Sequence, residues 1–131
     1  MIVIDTHVLI WWINNPEKLS KKAAQLIDRE KKKDLILISS ISVWEIYLLI
    51  KKNKLNLLMD TDSWLDTIES LPFIQFIPID NKIAAKSVIL PGEFHSDPAD
   101  RLIVATARER GLPLVTSDER IREYSYVETI W

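Results

Sequence analysis

Short apolar runs alternate with longer mixed stretches along most of this chain. Residues 1–5 open with the unbroken run Ile2-Val3-Ile4, which suits a parallel strand buried on both faces. Residues 35–38 repeat that pattern, residues 73–79 look extended, and residues 112–116 and 126–130 complete five predicted strands. Helical stretches lie between them. Residues 6–13 read as a short helix stopped by Asn14-Asn15-Pro16. Ser20 caps a second that runs to about residue 33 and places Ala23, Ala24, Leu26 and Ile27 inward. Ser39, Ser40 and Ser42 open a third through about residue 52, and Thr61 or Asp62 caps a fourth through about residue 70. Asp80 starts a fifth. Asp97-Pro98-Ala99-Asp100 opens a sixth with an acidic cap, proline at the first helical position and an acid at the third. Gly111 ends it, and residues 119–124 form a last short helix.

Strands that alternate with helices predict an α/β fold: a central, mostly parallel sheet with helices on both faces. At 131 residues the expectation is one domain, 1–131. No internal repeat or linker breaks the pattern.

Ligands of open α/β sheets bind outside the carboxyl ends of the strands. Four acids fall where that edge is expected. Asp5 ends the first strand and Asp118 follows the fourth. Glu45 is the one charge within the apolar stretch 41–50, and Asp100 sits in the first turn of its helix. Each also has a plainer reading. Asp5, Asp97, Asp100 and Asp118 are all good helix-start residues, and Glu45 is otherwise half-exposed or paired with a base. Together they predict one cleft. Carboxylates gathered there repel one another and resist desolvation unless a hard cation such as Mg²⁺ or Mn²⁺ neutralises them. That points to metal-dependent hydrolysis of a phosphate ester.

The absence of cysteine excludes disulfides, thiolate catalysis and Cys-ligated metal, and two histidines make a multi-His site improbable. No stretch is long enough to span a bilayer and no signal peptide is visible, so a cytoplasmic protein is expected. Net charge is −2, unlike a dedicated basic nucleic-acid binder. Residues 1–54 nevertheless hold ten Lys/Arg against six Asp/Glu, while residues 55–131 hold seven against thirteen. The lysines of residues 18–54 are either a basic flank beside an acidic pocket or ordinary solvated helix faces.

The segments Asp5-Thr6-His7-Val8-Leu9-Ile10-Trp11, Ser42-Val43-Trp44-Glu45-Ile46, 97–107 and Thr116-Ser117-Asp118 together resemble PIN-domain proteins, specifically VapC-type toxins of bacterial or archaeal toxin–antitoxin pairs. The likeness runs over essentially the whole chain. It implies a three-layer α/β/α sandwich and RNA cleavage that depends on Mg²⁺ or Mn²⁺. It matches Asp5, Glu45 and Asp100 to the family's core acids and Asp118 to its fourth, with Asp5 and Asp100 as first choices for direct ligands. Thr6, Asp97 and Thr116 are expected to support them. His7 stands where many relatives have Asn, and its role stays open. Arg101 is expected to pair with Asp97 rather than contact phosphate. The resemblance also implies a homodimer and a cognate antitoxin that covers the cleft, for which some of the five tryptophans offer surface. Two other readings compete: a phosphatase with Asp5 as nucleophile, disfavoured because His7 replaces a second Asp, and a non-catalytic PIN-fold interaction protein.

Overall fold

The computed structural model describes residues 1–131 and contains five strands and seven α-helices. In chain order they are β1 (Ile2–Ile4), α1 (Thr6–Asn14), α2 (Lys21–Lys33), β2 (Ile36–Ser39), α3 (Ile41–Lys51), α4 (Thr61–Glu69), β3 (Ile74–Ile77), α5 (Asn81–Val88), α6 (Pro98–Arg110), β4 (Leu114–Val115), α7 (Glu119–Glu123) and β5 (Thr129–Ile130). A 3-10 turn over Pro16–Lys18 joins α1 to α2. The sheet order is β3-β2-β1-β4-β5 and every pairing is parallel.

Alternation along the strands makes the layers. Ile2, Ile4, Ile36, Ile38 and Val115 face one core with Val8 and Leu9 of α1, Leu26 and Ile27 of α2, Ile46 of α3 and Trp64 of α4. Val3, Leu37 and Leu114 face the other, with Ile83 of α5, Ile103, Val104 and Ala107 of α6 and Ile121 of α7. The middle strand is apolar at every position because both of its faces are covered. This is the expected α/β/α sandwich.

Caps set most helix starts. Asp5, Ser20, Asp60, Asp80, Asp97 and Asp118 each accept a backbone N–H from the first turn of the helix that follows. For α4 the cap is Asp60, one residue before the expected Thr61 or Asp62. Gly111 closes α6 in the left-handed conformation at φ 63°. The last strand is shorter than its apolar run suggests, because only Thr129 and Ile130 reach partners on β4 and Tyr126 lies half-exposed.

Chain direction positions the site. From β1 the chain steps to β2 and β3 on one side, then crosses to β4 and β5 on the other. The crossover leaves a crevice at the carboxyl ends of β1 and β4, the switch point where such sheets bind ligands. Asp5 follows β1 directly, with its N–H on Val115 O at 3.2 Å.

Candidate active site

Six of the seven acids and supporting residues singled out in the sequence line one cavity of about 330 Å³ at that switch point. They are Asp5, Thr6, Glu45, Asp97, Asp100 and Asp118, joined by His7, Ser117 and Arg120. Thr116 lies beneath the rim, fully buried, and its hydroxyl accepts the Asp118 N–H at 3.1 Å. Among the charged groups lining the cavity, five carboxylates face one arginine.

Each acid is fixed from its own element. Asp5 Oδ1 accepts the Val8 N–H at 2.9 Å, so this residue both caps α1 and lines the cavity. Thr6 donates to Glu45 Oε1 at 2.6 Å and sits 2.8 Å from Ser42 Oγ, which ties α1 to α3. Asp97 Oδ1 accepts the Asp100 N–H at 2.9 Å. Asp118 Oδ1 accepts the Arg120 and Ile121 N–H groups at 2.9 and 3.2 Å. For Glu45, Asp100 and Asp118, one carboxylate oxygen takes these structural bonds and the second is the less committed.

Burial pushes the Asp5 carboxyl up to about 6; the Thr116 hydroxyl and the Val8 N–H oppose the rise, and the charge of Asp100 adds to it. Glu45 is raised by burial against the pull of Thr6, with Asp100 and Asp97 adding repulsion. Asp100 is raised by burial, is held down by His95, and feels Asp97 and Asp118. Three acids are thus destabilised as anions, and each lists another acid among the causes. A missing positive charge accounts for all three.

The donor chemistry fits a hard cation, since all the strong ligands are oxygen. No three acids or histidines close into a ready-made ligand group. Acids ringing a cavity of this size suit a cation such as Mg²⁺ that keeps several waters.

The expected Arg101–Asp97 pair does not form. Arg101 Nε donates to Ser87 O at 2.8 Å, Nη1 to Phe94 O at 2.9 Å and His95 O at 3.1 Å, and Nη2 to Val88 O at 3.0 Å. Four carbonyls in a loop hold a planar five-donor group better than one exposed carboxylate does. Three participants escaped the sequence reading. His95 Nε2 lies 2.7 Å from Asp100 Oδ2. Arg120 Nη2 lies 3.7 Å from Asp100 and 3.8 Å from Asp118. Ser42 completes the bridge to Thr6. Only the order Thr-Ser-Asp-Glu-Arg hinted at Arg120, which stands two residues past a candidate acid.

The family described as PIN domain matches residues 2–126. The chain belongs to the PIN-domain family. Its VapC-type character is shown by Ribonuclease VapC22 of Mycobacterium tuberculosis, 36% identical over 99% of this chain and 98% of that relative. The fold is shared with FitAcB from Neisseria gonorrhoeae (TM-score 0.72, 22% identity, 100% of this chain and 97% of the other). It is also shared with VapBC2 from Rickettsia felis, solved bound to a promoter DNA fragment (TM-score 0.70, 21% identity, 99% and 98%).

A second concavity adjoins the PIN acidic cavity and shares Glu45 and Asp97 with it. It is larger, about 630 Å³, and mostly apolar, with Ile41, Trp44, Leu48, Leu49 and Ile79 on its walls. Size does not make it the reactive site, because the strongly perturbed acids line the smaller one. Trp44 is 58% exposed there, whereas Trp64 is buried and Trp11, Trp12 and Trp131 pack at the core margin. No helix is long and apolar enough to cross a membrane.

Proposed function

We propose that this PIN-domain chain, read as one domain over residues 1–131, is a metal-dependent endoribonuclease and the toxin of a toxin–antitoxin pair. The observation that carries this reading is the set of five carboxylates against one arginine around a single cavity at the sheet's switch point. The relative at 36% identity is named a ribonuclease, and a structural neighbour is titled a toxin–antitoxin complex from Klebsiella pneumoniae.

Asp5, Glu45, Asp100 and Asp118 would hold the cation, Mg²⁺ or Mn²⁺, with Asp5 and Asp100 the first choices. When bound, it would supply positive charge against the phosphodiester and lower the pKa of water. The chain's own residues set the stage for hydrolysis. Thr6 orients Glu45, Thr116 and the Asp97 cap fix the backbone that carries Asp118 and Asp100, and Arg120 stands at the rim within reach of a phosphate. No histidine pair is present to act as acid and base, since His7 and His95 are the only two. A cognate antitoxin and a second copy of the chain are the proposed protein partners. The apolar groove beside the acids, with exposed Trp44, supports the antitoxin part of that reading.

The test uses antitoxin-free protein and total cellular RNA with Mg²⁺, Mn²⁺ or EDTA, beside a folded Asp5→Asn variant. Cleavage that needs metal and vanishes with Asp5→Asn supports the reading. A folded protein that binds no metal and cuts nothing returns it to the interaction-protein alternative.

A further inference from the structure

The bond between His95 and Asp100 crosses the wall of the acidic cavity. Asp100 lines that cavity; His95 does not, and instead lines a neighbouring one with Phe94, Arg120 and Tyr124. Nε2 lies 2.7 Å from Oδ2, and both side chains are about four-fifths buried, at 18% and 19% exposure. The imidazole is held by other contacts too. Its ring centroid is 4.2 Å from that of Phe94, which is 4.7 Å from Tyr124, whose hydroxyl donates to Pro91 O at 2.5 Å. Arg101 ties down the carbonyls of Phe94 and His95. The loop is therefore anchored without the His95–Asp100 bond, and the ring arrives at the carboxylate already oriented.

A carboxylate at the end of Asp turns broadly about its last torsion unless something holds it. Groups that bond the far side of a ligand carboxylate restrict that turning. We propose that His95 is a positioning residue for Asp100: its Nε2–H holds Oδ2 from behind the cavity wall and presents Oδ1 to the cavity. This rests on the metal-nuclease reading for the cation that Oδ1 would serve. The bond itself also fixes the tautomer, since an imidazole that donates from Nε2 carries no proton on Nδ1 while neutral.

The test compares His95→Ala, His95→Gln and the parent, with Mn²⁺ alone as probe in calorimetry. His95→Ala is expected to weaken Mn²⁺ by about 10–100-fold. His95→Gln, which keeps an N–H at similar reach, recovers most of it. With RNA, kcat falls in His95→Ala while KM stays put, and His95→Gln restores it. Without metal, nitrogen NMR of the imidazole should show Nε2 protonated, with that signal shifting in Asp100→Asn. Equal Mn²⁺ affinity in parent and His95→Ala, or no recovery in His95→Gln, overturns the positioning role. An Nδ1–H tautomer in a protein that binds Mn²⁺ overturns it as well. A parent that shows the Nε2–H signal but binds no Mn²⁺ overturns the metal reading instead, and removes the cation His95 would serve.

Discussion

Thr6 donates its hydroxyl to Glu45 Oε1 at 2.6 Å across 39 positions of sequence. The hydroxyl is buried and shares a 2.8 Å contact with Ser42 on the same helix as Glu45. It is the bond that aims the one acid contributed by α3. Thr6→Val removes it at nearly constant volume and leaves the carboxylate half-buried without its donor. Stability should fall by about 1–3 kcal/mol, and RNA cleavage by about tenfold or more. Thr6→Ser should restore most of both. Urea melts and initial rates on one defined RNA check this; a Thr6→Val enzyme as active as the parent would remove Thr6 from the site.

Asp5 should make the metal-free protein less stable at neutral pH. Its folded pKa, about 6, lies above the ordinary 3.8, so the folded state holds its proton more tightly than the unfolded state. Stability is then greatest below about pH 4, falls as pH rises through the window from about 4 to 6, and stays reduced above it. The full effect is at most about 3 kcal/mol. Asp5→Asn keeps the helix cap and removes the charge. The metal-free variant should be the more stable protein at pH 7.5, with the advantage shrinking toward pH 4. Mn²⁺ should reverse the order by stabilising only the parent. Thermal melts across pH, with EDTA or Mn²⁺, read both effects.

The cleft was legible because capping and reactivity ask for the same residue types at the same places. Asp5, Asp97 and Asp118 are caps in the structure as well as cavity residues, so the two readings of each were never exclusive. Glu45 was legible as a charge in an apolar stretch. The sheet order was not, because crossovers depend on which faces the helices cover, not on any local signal. Nor was Arg101: beside Asp97 in sequence, a pair looked natural, but its four carbonyl partners lie 6 to 14 positions away. His95 carried no signal, since a lone histidine in a loop shows nothing until the loop folds back on α6.

Arg101 should matter to the site without touching it. Its guanidinium joins the end of α5 to the loop that carries His95. Arg101→Ala leaves four carbonyls without this donor. Charged hydrogen bonds of this kind are worth about 1.5–3 kcal/mol each and do not add fully, so a loss of roughly 2–4 kcal/mol is expected. Arg101→Lys should rescue little, because an ammonium cannot span the same acceptors. Hydrogen exchange should rise in residues 88–96 ahead of the core strands; uniform change across the chain would count against a local anchor.

The lysines of the first half do not form one flank. Met1 N binds Glu30 at 3.1 Å and Asp34 at 3.0 Å, which puts the end of α2 at the edge where β1 begins. Asp5 lies at the other end of that strand, roughly 13 Å along at the usual rise per residue. Lys31, Lys32 and Lys33 therefore sit toward the wrong edge to guide RNA into the acids. Lys22, at the start of α2, lines a groove with Arg122 and Trp131 beside α7, the helix that Asp118 caps. RNA drawn along that side would release counterions as Lys21 and Lys22 meet phosphates. Reversing Lys21 and Lys22 to Glu should lower kcat/KM and flatten its fall with log salt by about 1 in slope. Reversing Lys31, Lys32 and Lys33 should leave the slope nearly unchanged, although it alters net charge more. Equal effects of the two sets would mean that total charge, not this groove, steers the substrate.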